Sequence, residues 1–198
     1  EVIAQMLVNA PGKDWGERIA YCMRRLQGAY SVAFITNDTL VAMRDPLGVR
    51  PLCVGMYNGG WVVASESCAL DHIGAKLLRE LEPGEAIQID ADGLRTIHNG
   101  NEGKRALCSF EFIYFSRPDS ILDERSVHAA RREMGRQLAL QAPVDADMVM
   151  GVPDSATPAA VGYAEAAGIP YQEGLIKNRY VGRTFIQPDQ RLRDLGVR

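Results

Sequence analysis

The chain has 198 residues, 46% of them hydrophobic and 24% charged, with a formal net charge of −3. That is ordinary globular composition, with apolar material for one large domain or parts of two. The acidic balance excludes a general reader of nucleic-acid backbones, no apolar run approaches the roughly 18 residues of a membrane span, and no secretory signal pattern is visible, so a cytoplasmic protein is predicted.

Glu1 rather than Met opens the chain, the apolar-periodic run Val2, Ile3, Met6, Leu7 follows at once, and the far end is a charged stretch without a closing element; an excised or processed fragment is expected. Trp15 to Leu26 has helical apolar spacing and closes on Gly28. Ala29 to Thr36 and Leu40 to Met43 read as a hairpin across Asn37-Asp38, and Leu52 to Met56 and Trp61 to Ala64 as a second across Asn58-Gly59-Gly60. Ala69 to Leu77 is predicted as a short helix, and Ala86 to Ile89 as a strand ending at Asp92-Gly93. Asn99 to Lys104 suits a connection, and Cys108 to Phe115 reads as an aromatic-rich β run. After Pro118 the character changes: a helix over Ser126 to Leu140, a short buried strand over Met148 to Val152, and an alanine-rich helix over Thr157 to Ala167 closed by Gly168, the opening of a parallel α/β domain. The boundary is placed near 105 to 125.

Three stretches carry chemistry. Gly151-Val152-Pro153-Asp154-Ser155 ends a strand at a small polar turn before a helix, where backbone N–H groups and a hydroxyl can hold an anion. From Lys177 onward there are six Lys or Arg against two acids, a concentration of positive charge that points to a phosphorylated small molecule. Arg44-Asp45-Pro46-Leu47-Gly48-Val49-Arg50-Pro51-Leu52 is a constrained loop between strands; its guanidiniums and carboxylate either orient one another for a function or form an internal Arg–Asp salt bridge that holds the turn. Ser65 is a candidate cap for the helix that follows. Cys22, Cys53, Cys68 and Cys108 show no Cys-x-x-Cys pair, so reduced core thiols are expected rather than a zinc site or disulfide framework. His72, His98 and His128 have no ligand-like spacing.

The nine-residue loop from Arg44, Ala64-Ser65-Glu66, the run Cys108-Ser109-Phe110-Glu111-Phe112-Ile113-Tyr114-Phe115-Ser116-Arg117-Pro118-Asp119-Ser120 and the stretch Lys177 through Pro188 closely resemble the glutamine phosphoribosylpyrophosphate amidotransferase family, the amidophosphoribosyltransferases. The first two motifs are shared with other class II glutamine amidotransferases; the last two are specific to this family, and an asparagine-synthetase-like reading shares the rigid loop but does not explain Lys177 through Pro188.

The resemblance implies an α+β N-terminal-nucleophile hydrolase, a class II glutaminase of αββα sandwich type, followed by an α/β type I phosphoribosyltransferase domain, both partial. Residues 1–105 would be the later part of the glutaminase, 106–120 the connection and 121–198 the early part of the transferase. The implied reaction makes 5-phosphoribosylamine from phosphoribosylpyrophosphate and glutamine-derived ammonia in purine synthesis. The family's nucleophilic cysteine and glutamine clamp would lie upstream, and its paired-Asp motif beyond Arg198, so the chain alone is expected to be inactive. Carried over by position, Ser155 would adjoin the magnesium–phosphoribosylpyrophosphate site, with a helix N-cap as its plain alternative. Lys177, Arg179, Tyr180 and Arg183 would belong to a flexible loop that closes over substrate, expected to be mobile without it; a solvated charged loop is the alternative. Arg44, Asp45, Gly48 and Arg50 would form a structural loop of the glutaminase. Cys108 would be one ligand of the [4Fe–4S] cluster found in one branch of the family, or a buried thiol as in the other. Purine nucleotide inhibitors and a homo-oligomer are also implied. The competing reading is a non-catalytic nucleotide- or partner-binding module with a glutaminase-like fold.

Overall fold

The computed structural model describes residues 1–100, 105–178, 180, 184 and 186–197. The chain divides into two compact units, Glu1–Ala130 and Arg131–Arg198.

The first unit is built in layers of helix, sheet, sheet and helix. Helices α1 (Val2–Asn9) and α2 (Trp15–Met23) cover one face of a four-stranded antiparallel sheet ordered β1-β2-β6-β7, formed by Ser31–Ile35, Leu40–Arg44, Ala86–Asp90 and Gly93–His98. A three-stranded sheet ordered β4-β3-β5, from Gly60–Ala64, Cys53–Tyr57 and Lys76–Glu80, packs on the other face, and α3 (Ser67–His72) lies against it. Two-residue alternation makes this possible. In β2, Val41 and Met43 join Leu7, Ile19 and Cys22 beneath the helices, whereas Ala42 joins Leu52, Val54, Ile87 and Ile89 between the sheets. Burying each such large aliphatic side chain is worth about 1.5–3 kcal/mol. The Asn58-Gly59 turn takes positive φ at both residues (49° and 79°), which closes the β3–β4 hairpin as its sequence predicts.

Several expectations are corrected. Helix α2 ends at Met23 rather than Leu26: Arg24 N still bonds four residues back to Ala20 O, but Arg25 N bonds three back to Cys22 O and tightens the last turn. Leu77 belongs to a strand rather than a helix, because α3 stops at His72 and Lys76 and Leu77 pair with Met56 and Gly55. Strand β7 was not anticipated; it completes the edge of the large sheet beyond Asp92-Gly93. The aromatic run is a single π-type helical turn over Glu111–Phe115, closed by the bond from Ser116 N to Glu111 O. Its organising residue is Glu111, turned inward and 1% exposed, while Phe110, Ile113, Tyr114 and Phe115 stay exposed.

Two-residue strands β8 (Ile121–Leu122) and β9 (Arg125–Ser126) pair with one another and lead into α4 (Val127–Gln141). The units divide at Ala130/Arg131, and residues 117–123 hydrogen-bond back to Glu66 and Ser67 at the start of α3 and to Glu80 on β5.

In the second unit, α4 continues against α5 (Thr157–Ala167), which ends at Gly168 with φ 70° as expected, and α6 covers Gln190–Val197. Gly135 and Gly162 stand at the α4–α5 crossing, where an added Cβ would overlap the carbonyl oxygens of Ala159 and Arg132 respectively. The anticipated buried strand over Met148 to Val152 is a single parallel bridge, Val149 to Tyr171, with Met148, Met150 and Val152 exposed. One bridging residue neither extends the pairing nor covers a strand face. Among the described residues no helix is long and apolar enough to cross a membrane.

Candidate functional site

The loop from Arg44 to Leu52 in the first unit contains no Arg–Asp pair among its described contacts. Arg44, 5% exposed, donates from Nε to Arg50 O (2.8 Å), from Nη1 to Leu81 O (2.5 Å) and from Nη2 to Gly48 O (3.1 Å), with Glu80 Oε2 3.4 Å away. Asp45, fully buried, instead accepts backbone N–H bonds from Leu47 (3.0 Å) and Val49 (3.0 Å). The carboxylate thus caps the loop's amides and the guanidinium collects its carbonyls, satisfying backbone groups that have no sheet partner. Gly48 takes φ 63°, and a Cβ there would sit 2.8 Å from Pro83 Cγ.

Arg50 faces outward. Its Nε lies 2.7 Å from Glu111 Oε1, an ion pair lacking hydrogen-bond alignment, and its guanidinium stacks 4.8 Å over the Phe115 ring. Glu111 Oε2 accepts from Ser116 Oγ at 2.6 Å. Cys108 enters the same assembly through its backbone N–H, which donates to Val49 O (3.0 Å). Its thiol is half-buried, whereas Cys22, Cys53 and Cys68 are buried, and all four are free. Burial, helped by Glu80, pushes the Cys53 thiol up to about 12; burial also raises those of Cys22 and Cys68. Among the described residues no three His, Cys, Asp or Glu side chains converge as a metal site.

In the second unit the bridge at Val149 leads through a turn at residues 153–156 into α5. Gly151 is needed there: a Cβ would lie 2.9 Å from Thr157 Cα, so the chain after the bridge and the helix start meet backbone to backbone. Ser155 is half-buried in this turn and is not the helix cap, since Ala156 occupies that position. Ser65 likewise is not a cap, because Glu66 precedes α3. Lys177 Nζ donates to Asp154 Oδ2 at 3.3 Å. Both side chains are more than half exposed, so the pair adds little stability; its consequence is to set a cation beside the turn. Ser155 and Lys177 are therefore brought to one place. Tyr180 is fully exposed, its N–H donating to Asn178 Oδ1 at 3.0 Å. Arg179 and Arg183 lie outside the described residues, as does much of the loop expected to be mobile. A turn with a hydroxyl, a nearby ammonium and a helix N-terminus can bind a phosphate group. In the sequence Asp154 reads only as a member of the turn, with no role of its own; its contact with Lys177 lies 23 positions away, beyond the reach of a local pattern.

A family model described as "Glutamine amidotransferase domain" matches residues 1–72. The amidophosphoribosyltransferase of Mycobacterium tuberculosis is 56% identical over 199 residues, covering 100% of this chain and 38% of its own length. That of Bacillus subtilis is 49% identical over 198 residues (100% and 42%), and that of Rattus norvegicus 46% identical over 221 residues (100% and 43%). The solved B. subtilis glutamine phosphoribosylpyrophosphate amidotransferase, complexed with ADP and GMP, superposes with a TM-score of 0.87 at 49% identity, over 100% of this chain and 43% of that one. A structure described as the allosteric regulatory enzyme of purine biosynthesis also superposes at 0.87, with 48% identity. The chain spans about two fifths of the length of these relatives. With similarity running through all 198 residues of its mixed sheet-and-helix fold, the chain belongs to the amidophosphoribosyltransferase family.

Proposed function

We propose that the protein carrying this chain hydrolyses glutamine and passes the ammonia to C1 of phosphoribosylpyrophosphate. The C1–N bond of 5-phosphoribosylamine forms as the bond to pyrophosphate breaks, and water completes glutamate. The first unit would be the later part of an N-terminal-nucleophile glutaminase, and the second the start of a type I phosphoribosyltransferase domain. The observation that carries this reading is the unbroken similarity to amidophosphoribosyltransferases, at 56% identity, through both units.

On this reading Ser155 and the neighbouring backbone hold the ribose-phosphate side of the substrate, and Lys177, Arg179, Tyr180 and Arg183 close over it and exclude water. The oxygens of Asp154 and Ser155 are hard donors of the kind magnesium takes, directly or through water. Magnesium, when bound with the substrate, would offset charge on the departing pyrophosphate. Cys108, half-buried beside the Arg50–Glu111 pair, is proposed as one thiolate of a [4Fe–4S] cluster in the intact protein, and no step passes through it. Purine nucleotides are proposed as inhibitors, since the B. subtilis relative was solved with ADP and GMP. A cytoplasmic homo-oligomer completes the proposal.

The test is pyrophosphate and glutamate release by the full-length protein given glutamine, magnesium and phosphoribosylpyrophosphate. Lys177→Ala should raise KM for phosphoribosylpyrophosphate and leave glutamine hydrolysis in place. Absence of phosphoribosylpyrophosphate-dependent pyrophosphate release with either glutamine or ammonium would overturn the reading. Iron and sulfide analysis of anaerobically purified protein decides the cluster.

A further inference from the structure

We propose that Glu66, Ser67 and Glu80 are positioning residues: they form a dock that holds segment 117–123 in one conformation and so fixes the entry into α4. The segment makes no long strand ladder; its only strand residues are the two of β8. Side chains from distant parts of the sequence take its donors instead. Glu66 Oε2 accepts from Arg117 N (2.9 Å) and from Ser120 Oγ (2.7 Å). Ser67 Oγ accepts from Ile121 N (2.8 Å), and Glu80 Oε1 from Asp123 N (2.7 Å). Hydrogen bonds from backbone amides to ionised carboxylates are among the stronger kinds.

Ser120 carries the dock forward. It is fully buried; its hydroxyl donates to Glu66 while its carbonyl accepts from Val127 N (3.0 Å), the first residue of α4. Pro118 O accepts from His128 N (2.9 Å) and Ser126 Oγ from Ala129 N (3.3 Å). A helix leaves its first amides without internal partners, and here the docked segment supplies them. Helix α4 starts in the first unit and carries the chain into the second. The placement of its N-terminus is therefore set by two side chains at the start of α3 and one on β5.

On the function proposed above, on which this step rests, segment 117–123 joins the glutamine side to the phosphoribosyl side, and the dock keeps glutamine hydrolysis in step with ammonia transfer. The test uses the full-length protein with Glu66→Ala, Glu66→Gln and Ser67→Ala. Amide exchange should accelerate by about tenfold or more at Arg117 in Glu66→Ala and at Ile121 in Ser67→Ala. Glu66→Gln, which keeps an acceptor oxygen, should show less. Glutamate released per pyrophosphate should rise from one by about 2- to 30-fold in Glu66→Ala, while pyrophosphate release driven by ammonium salts stays at the wild-type rate. A change in melting temperature alone would not move that ratio. Unchanged exchange at both amides overturns the dock, and faster exchange with the ratio still at one overturns its role in coupling. If wild-type protein releases no pyrophosphate with either nitrogen donor, the functional reading fails, and exchange at Arg117 and Ile121 still decides the dock.

Discussion

Replacing Gly135 by Ala sets two physical effects of opposite sign against each other. In an isolated helix the change is favourable by about 1 kcal/mol, because Gly loses more backbone entropy on ordering. At Gly135 the new Cβ would overlap the carbonyl oxygen of Ala159, and at Gly162 the same change meets the carbonyl of Arg132. Both obstacles are backbone rather than the end of a flexible side chain, so α4 and α5 must separate or slide. Overpacking of this kind costs about 1–3 kcal/mol. Moving the helices also disturbs Arg132–Glu165 (2.5 Å) and the bond from Tyr163 OH to Ala142 O (2.9 Å), although the ion pair is exposed and contributes little. The net expectation for Gly135→Ala is a local loss of up to about 2 kcal/mol, with Gly162→Ala similar. The assay is hydrogen exchange over residues 131–167 in the full-length protein, since one global unfolding midpoint is not well defined for a chain of several units. Gly60→Ala is the control, because its Cβ would meet only Tyr57 O at 3.5 Å. Slower exchange in α4 and α5 of Gly135→Ala would mean that propensity outweighs the crossing and would refute the reasoning.

Arg44→Lys should destabilise the first unit by about 2–4 kcal/mol in urea titration, because an ammonium cannot reproduce a fork that reaches Arg50 O, Leu81 O and Gly48 O together; a loss near zero would sink the clamp. At Glu85 burial pushes the carboxyl up, but the bidentate Arg79 guanidinium (2.7 Å to each oxygen), Glu82 N–H and Thr96 outweigh it and hold it below the usual glutamate range. A carboxyl depressed in the fold stabilises above its unfolded value and loses that contribution as pH falls through the folded one. The stability gap between wild type and Arg79→Met should therefore be widest near neutrality and shrink below about pH 4; a gap constant from pH 7 to 3 contradicts the pairing. Alkylation of the folded, cluster-free protein at pH 8 should label the half-buried Cys108 before Cys53, since a buried thiol pushed up to about 12 leaves almost no thiolate. Equal labelling rates in peptide mapping would refute that order.

The hairpins and the Thr157–Ala167 helix were legible because their signals are local: Asn58-Gly59 supplies two positive φ angles, and Gly168 a left-handed cap. The turn at Ser155 was legible for the same reason, as small polar residues directly before a helix start, although the strand read ahead of it is a single bridge. The aromatic run misled. Phe110, Phe112 and Tyr114 alternate as a strand would, but the buried Glu111 carboxylate, met by Arg50 and Ser116, decides the backbone. That partnership spans 61 positions in one direction and 5 in the other, and pattern reading over a short window sees only the second.

What no single-sequence reading could supply is the set of side chains that bind main-chain atoms. Arg44 grips three carbonyls, Asp45 caps two amides, and Glu66, Ser67 and Glu80 take the amides of Arg117, Ile121 and Asp123. Every residue offers a carbonyl and every residue but proline an amide, so such partners leave no compositional trace. A guanidinium beside a carboxylate in a loop invites the guess that they pair; here each finds backbone instead. Charged residues in a tight, proline-bounded loop should therefore be tested first as acceptors and donors for that loop's own backbone, because its N–H and C=O groups lack ladder partners and leaving them unpaired is the larger cost.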